Sequence, residues 1–375
     1  MRVVVVAGTV RAVERQRGAV VRALAQAGHE VIAVGDPARG GQASIDALAA
    51  LGVAFEPLGI ERHGTGLRKD AEVFAAFLRL YRRLRPDVVL HSNIKPNVYG
   101  TLAAAAAGVP HRFALVTGVG DVFSEAGSVR DAAVRQVARV LYRLGVAASE
   151  GVIFQNADDV LLFLELGVLR SLDGVSVVHG SGVDMQHFAR VPLPKGPPRL
   201  LWMGRLLRSK GLPELVEAWR SVRHRAPGAE LHLLGRFDPG HPSAVTEEEL
   251  AAWTADGDVV HDGEASDVRP HLAAASVLVH PSRREGTPLA VLEAMSMGRA
   301  IVTTDVPGCR QTIRHGVEGL IVRPDDPGAL AAALGAVLDD PARVVRMGEA
   351  AHARCLARYA APRVAATMLA AMGLA

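Results

Sequence analysis

Cysteine is nearly absent: Cys309 and Cys355 are the only two in the chain. That excludes a disulfide framework and a zinc site built on four thiolates, and it fits a reducing cytosol. No apolar run reaches the roughly 18 residues needed to span a bilayer, and Met1-Arg2-Val3 leads straight into a strand pattern ending at Ala7. Any membrane contact is therefore expected to be peripheral, on the cytoplasmic side. An excess of one charge is also missing. The 42 Lys and Arg against 39 Asp and Glu leave a formal charge of +3, too little for a nucleic-acid binder that must neutralise many phosphates. Nucleotide fingerprints fail as well: Gly118-Val119-Gly120 and Gly180-Ser181-Gly182 both lack a third glycine three residues on, and no Gly-Lys-Ser/Thr phosphate loop occurs. The single Asp-x-Asp match, Asp256-Gly257-Asp258, precedes a strand and reads as a turn, so no metal is expected there.

Apolar material in regular alternation is what the chain does have. At 375 residues and 49% hydrophobic content it exceeds one ordinary core, and two domains are expected. Short apolar runs alternate with amphipathic stretches, the mark of β-α units around parallel sheets covered on both faces. Val3 to Ala7, Val31 to Gly35, Asp87 to Leu90, Phe113 to Val116, Val152 to Phe154 and Val175 to Val178 read as strands of an N-terminal domain, residues 1–190. A proline-rich stretch, 191–198, reads as a linker. Leu200 to Met203, Glu230 to Leu234, Val259 to His261, Val277 to His280, Ala300 to Thr303 and Gly319 to Val322 are the strands of a second domain, 199–355. A C-terminal helix in 356–375 is expected to pack back on the first domain. Ligands of open α/β sheets bind beyond the carboxyl ends of the strands, so two such domains face to face put the site between them.

The stretch from His280 to Met295 is the most informative. A buried strand ends at His280, a loop brings up Glu285, and Pro288 suits the first turn of a helix. Gly286, Thr287, Pro288 and Leu289 then form a helix N-terminus whose free N–H groups suit an anion or sugar hydroxyls, with Gly286 admitting close approach to the backbone. Further along that helix, Glu293 can accept two hydrogen bonds from vicinal hydroxyls, the way ribose is gripped in other nucleotide sites. The strand Leu200 to Met203 is followed by a loop from Gly204 to Gly211 that carries Arg205 and Lys210. An Arg fork and a Lys point charge at that position can hold two phosphates and stabilise a leaving diphosphate.

The Gly-Arg…Lys-Gly loop and the Glu285/Glu293 pair resemble the donor half of the family-four glycosyltransferases of the GT-B fold, in which such a loop and a Glu-x7-Glu motif define the donor site. The likeness extends to Gly28-His29-Glu30-Val31, to Gly180-Ser181-Gly182-Val183-Asp184 and to Asp305-Val306-Pro307-Gly308. It implies an α/β chain of two facing Rossmann-like αβα domains with a cleft between them. It also implies a nucleotide diphosphate sugar as co-substrate, retention of anomeric configuration, and no cofactor, whether PLP, nicotinamide or a required metal. By the same likeness Glu285 contacts the donor sugar, Glu293 the ribose, and Arg205 and Lys210 the diphosphate, with Glu285, Arg205 and Lys210 the catalytic group.

On the acceptor side, His91-Ser92-Asn93-Ile94-Lys95 and Thr117-Gly118 each follow an apolar strand, so their polar groups emerge at strand ends. His91, Asn93, Lys95, Thr117 and Gly118 are the candidates. Both stretches resemble the branch that builds capsular, O-antigen and N-glycan precursors on polyprenyl diphosphate carriers, in which uracil is the commoner donor base. Many members carry a His where this chain has Thr117-Gly118; a mechanism in which the leaving phosphate deprotonates the acceptor needs none. Competing readings are a sugar-nucleotide epimerase or phosphorylase of the same shape, or a non-catalytic nucleotide-sugar-binding partner. Finally, Arg135, Arg139 and Arg143 recur every fourth residue on a helix from Arg130 to Leu144, beside an apolar side of Val134, Val137, Leu141 and Leu144. Such a basic stripe suits an anionic membrane surface.

Overall fold

Two wholly parallel sheets organise the chain in the computed structural model, which describes residues 1–37, 41–59, 67–119 and 129–375, the side chains of residues 67 and 129–133 excepted. The first sheet has seven strands: β1 (Arg2–Thr9), β2 (Glu30–Asp36), β3 (Ala54–Pro57), β4 (Val88–Ser92), β5 (His111–Val116), β6 (Gly151–Phe154) and β7 (Val175–Val177). Their spatial order is β3-β2-β1-β4-β5-β6-β7. Val3 to Val6 are fully buried in a row, as a central parallel strand covered on both faces requires. Helices α1 (Val10–Gln26), α2 (Gly41–Ala49), α3 (Leu67–Leu84), α4 (Thr101–Ala106), α5 (Val129–Ala147) and α6 (Ala157–Glu165) connect these strands. Thr9 ends β1 and caps α1 by accepting the Ala12 N–H, and Asn156 caps α6 likewise.

The second sheet comprises β8 (Arg199–Met203), β9 (Glu230–Leu234), β10 (Val259–Gly263), β11 (Val277–His280), β12 (Ala300–Thr304) and β13 (Gly319–Val322), in the order β10-β9-β8-β11-β12-β13. Its helices are α7 (Leu212–Val222), α8 (Glu247–Thr254), α9 (Arg269–Ala274), α10 (Leu289–Ser296), α11 (Pro327–Asp339) and α12 (Pro341–Arg358), with α13 (Ala361–Ala371) closing the chain. In both sheets the strand order reverses direction beside the first strand of the unit, the switch point at which such sheets bind ligands beyond the strand ends.

The chain divides into two compact units, Met1–Gly182 with Ala361–Ala375, and Val183–Ala360. The division differs from the boundaries read off the prolines. The stretch 191–198 belongs to the second unit, where the carbonyls of Val191 and Pro192 accept from the fully buried Arg299 guanidinium. The chain changes unit instead at Gly182, whose φ of +74° no β-carbon tolerates well. In the first unit, α13 lies against α1 and sends Ala365, Met368 and Leu369 into the core beneath β1. The short edge strand β3 was not legible in the sequence, since Ala-Phe-Glu-Pro lacks both alternation and a β-branched residue.

Candidate functional site

In the second unit three strand-end loops meet. After β8, Gly204 continues the pairing with β9, its N–H reaching the Leu234 carbonyl at 3.0 Å, and a β-carbon on Gly235 would sit 1.7 Å from the Gly204 oxygen. Only glycine fits there. The loop continues into a single 3-10 turn, Arg208–Lys210, ended by Gly211 in the left-handed region. A β-carbon on Gly211 would lie 2.1 Å from the Pro281 carbonyl, so the loop after β8 is pressed against the loop after β11. The Arg283 N–H, donating to the Ser209 carbonyl at 3.1 Å, joins them again. The third loop is Asp305 to Gly308, after β12. The Glu285 N–H donates to the Pro307 carbonyl at 3.2 Å, and Gly308, at φ +80°, is so close that a β-carbon would lie 2.2 Å from the Glu285 carbonyl.

These contacts bring charged side chains together. Lys210 Nζ lies 2.5 Å from Glu285 Oε1, and the same oxygen hydrogen-bonds His280 Nε2 at 3.0 Å. Burial alone pushes the Glu285 carboxyl up, but the Lys210 ammonium and His280 outweigh it and hold the group well below the ordinary carboxylate range. Glu285 is therefore an anion at neutral pH. Arg205 donates to Asp238 Oδ2 at 2.7 Å, and that bond depresses the Asp238 pKa. Each cation of the loop thus has its own carboxylate.

Downstream of Glu285, Gln311 Nε2 donates to Thr287 Oγ1 at 3.2 Å, orienting the stretch that leads into α10. Pro288 is the N-cap rather than a first-turn residue, and Leu289 opens the helix. The expected N-terminus is thus one residue later, because Pro288 at ψ 114° is still extended. Glu293 lies half-buried on α10, just over one turn in. Arg205, Lys210, Glu285, Gly286, Thr287, Pro288, Leu289 and Glu293 accordingly all belong to one set of loops and one helix of one unit. His280 and Asp238 were missed. His280 is the last residue of a buried strand immediately before the Glu285 loop, and that polar terminus was the available signal. Asp258, of the Asp-Gly-Asp turn, accepts from Trp219 Nε1 at 3.1 Å and pairs with Arg223 at 3.0 Å, a structural use of the carboxylate.

The acceptor-side candidates of the first unit follow two neighbouring strands, β4 and β5, and differ in what they contact. His91 is fully buried. Its Nε2 meets Tyr81 Oη at 2.6 Å and its Nδ1 meets Thr101 Oγ1 at 3.1 Å. Burial lowers its pKa to about 3. Both ring nitrogens are engaged inside the core, so His91 is a structural residue and offers no base to a ligand. Gly100 explains the fit, since a β-carbon there would lie 2.7 Å from the His91 ring. Asn93 is exposed at φ +78°, its Oδ1 accepting the Gly8 N–H at 3.0 Å. Lys95 pairs with Asp70 at 3.4 Å beside a cavity of about 270 Å³ lined by Gly59, Lys69, Glu72, Val73, Ala76 and Lys95. Thr117 and Gly118 follow β5 and are half-buried, while the continuation of that stretch from Gly120 to Phe123 lies outside the described residues.

The glycosyl transferase 4-like domain family matches residues 11–178, and the glycosyl transferases group 1 family matches residues 197–340. The chain is 28% identical over 280 residues to the N,N'-diacetylbacillosaminyl-diphospho-undecaprenol alpha-1,3-N-acetylgalactosaminyltransferase of Campylobacter jejuni, covering 71% of this chain and 72% of that one. It is 33% identical to a Mycobacterium tuberculosis glycogen synthase over 162 residues, 42% of this chain but only 38% of the synthase. In fold it is similar to the Anabaena protein HepE, solved in complex with UDP and glucose, with a TM-score of 0.79 at 17% identity, covering 100% of this chain and 99% of that one.

Proposed function

This chain belongs to the family-four glycosyltransferases of the GT-B fold, and from that premise we propose a retaining enzyme that moves a hexose or N-acetylhexosamine from a UDP-sugar to a lipid-linked glycan acceptor. One observation carries the reading. The Glu285 carboxylate, fixed by Lys210 and His280, stands where three strand-end loops converge, beside the helix that bears Glu293. In this reading Arg205 and Lys210 hold the diphosphate, Glu285 and the Gly286 to Leu289 backbone hold the sugar, and Glu293 accepts from the ribose hydroxyls. The bond from the anomeric carbon to the diphosphate oxygen breaks as the acceptor oxygen bonds the same face, and the acceptor proton passes to the departing phosphate. Arg205 and Lys210 stabilise the negative charge that grows there. No imidazole base is used, consistent with His91 being locked in the core. No cofactor or metal takes part.

The UDP donor is supported by the HepE complex, and the polyprenyl diphosphate acceptor by the name of the Campylobacter relative. Such an acceptor is met at the inner face of the membrane, and among the described residues no helix is long and apolar enough to cross one. The test is incubation with UDP-glucose, UDP-galactose and the UDP-N-acetylhexosamines together with an undecaprenyl-diphosphate-linked sugar, followed by mass spectrometry and NMR of the product. An added hexose or N-acetylhexosamine with the donor's α configuration is expected. Rearrangement or phosphorolysis of the donor without transfer would replace this reading with an epimerase or phosphorylase.

A further inference from the structure

The helix α5 turns an apolar stripe outward. Its inner side is set by Tyr142, which is 2% exposed, and by Gly145, where a β-carbon would lie 2.7 Å from the Asn97 carbonyl. Of the apolar side read from the sequence, Leu141 is half-buried while Val134, Val137 and Leu144 stand exposed. Val137 is 58% exposed, Val140 48% and Leu144 49%, with Val134 at 38%. At about 100° per residue, Val137, Val140 and Leu144 fall within an arc of about 60°. A surface helix of a soluble protein normally spends such positions on polar side chains. Beside the stripe, one residue further round the helix, run the half-buried Arg139 and the exposed Arg143, whose long stems can lie along apolar surface while the guanidinium reaches outward.

We infer that this face of α5 docks into an anionic lipid bilayer, Val137, Val140 and Leu144 entering the boundary between headgroups and acyl chains and Arg139 and Arg143 meeting lipid phosphates. Charge decides the occupant. An apolar stripe alone would suit a second copy of the chain equally well, but a stripe edged by guanidinium groups repels its own like charges across a symmetric contact and matches an anionic surface. The inference rests on the proposed lipid-linked acceptor only for its biological sense, because the surface itself lies in the first unit and the donor loops in the second.

The experiment uses the full chain with vesicles of phosphatidylglycerol mixed with phosphatidylcholine, and with phosphatidylcholine alone. Three variants are compared with the wild type: Val137→Gln/Val140→Gln/Leu144→Gln, Arg139→Gln/Arg143→Gln, and Val140→Trp. The wild type is expected to co-sediment with the anionic vesicles and to be released by salt. The apolar variant should lose about tenfold or more in partitioning even at low salt, since each buried methylene group contributes. The arginine variant should lose most of its preference for anionic over zwitterionic vesicles. Val140→Trp should shift its emission to the blue on anionic vesicles only. Equal partitioning of wild type and apolar variant, or no emission shift, overturns the inference. So does a wild-type dimer in sedimentation velocity that the apolar variant abolishes. UDP affinity, measured on the same samples, should be unchanged in all three variants; wild-type protein that fails to bind UDP at all would count against the donor reading and leave the docking result standing.

Discussion

Lys210 and Glu285, 75 residues apart in sequence, are joined by a 2.5 Å ion pair from Nζ to Oε1. The contact links the loop after β8 to the loop after β11 and leaves the carboxylate ionised, with His280 on the same oxygen. Replacing the charge while keeping the shape isolates its role. Glu285→Gln is expected to lower kcat about a hundredfold or more, with the fold intact by circular dichroism. Unaltered turnover would remove Glu285 from the reacting centre.

The two cations should separate in stability. Arg205 and Asp238 form a partly solvated pair, with side-chain exposures of 38% and 22%, of the kind worth about 0–1 kcal/mol. Arg205→Ala should therefore leave the Tm nearly unchanged. Lys210→Ala strips Glu285 of its nearer cation at a more buried site, 21% and 17% exposed, and should cost about 1–3 kcal/mol. Both should reduce turnover about a hundredfold or more, because in the proposed reaction both stabilise charge that grows as the diphosphate leaves. Denaturant unfolding and initial rates on the same preparations decide it.

Gly308 is the support behind Glu285. Its φ of +80° and the 2.2 Å that a β-carbon would leave to the Glu285 carbonyl mean that Gly308→Ala must displace the loop. The expected result is a KM for the donor raised about tenfold or more, with a loss of stability of about 1–3 kcal/mol. A variant with wild-type KM would show that the loop tolerates the shift.

Acid sensitivity should trace partly to His91. Its folded pKa is lowered from 6.5 to about 3 by burial, so between those values the unfolded chain binds a proton that the folded chain does not. Stability from this group is complete above the unfolded value and is lost as pH falls toward the folded one. His91→Phe should be less stable at pH 7 by about 1–3 kcal/mol, since Tyr81 and Thr101 lose their partner, yet show a shallower decline between pH 6.5 and about 3. A parallel decline in wild type and variant would contradict the assignment.

Much of this was legible in the sequence for a physical reason. Fully buried parallel strands are written as unbroken apolar runs, so Val277 to His280 and Ala300 to Thr303 appear by themselves, and the loops after them inherit their position at strand ends. The Glu285/Glu293 spacing and the Arg205 to Lys210 loop lie within single local segments, which is why those residues were found together. What escaped depends on partners distant in sequence. His91 stands at a strand end like a site residue, and only its contacts with Tyr81 and Thr101 make it part of the core. Asp238 gains meaning only from Arg205, on the neighbouring strand's loop. The prolines of 191–198 look like a linker, and only the buried Arg299 shows that this segment is held within the second unit. The outward stripe of α5 was equally hidden, since periodicity marks an apolar side without saying what covers it.

The central claim is that the loops around Lys210 and Glu285, with Glu293, bind the nucleotide diphosphate of the donor. The most direct measurement is calorimetric titration of UDP into the wild type, Lys210→Ala and Glu293→Ala. Saturable binding to the wild type is expected, weakened in each variant by about 1.5–3 kcal/mol for the loss of a charge-assisted contact, which is roughly ten- to a hundredfold in Kd. Unchanged affinity in both variants, or no binding of UDP or any other nucleoside diphosphate to the wild type, would contradict it.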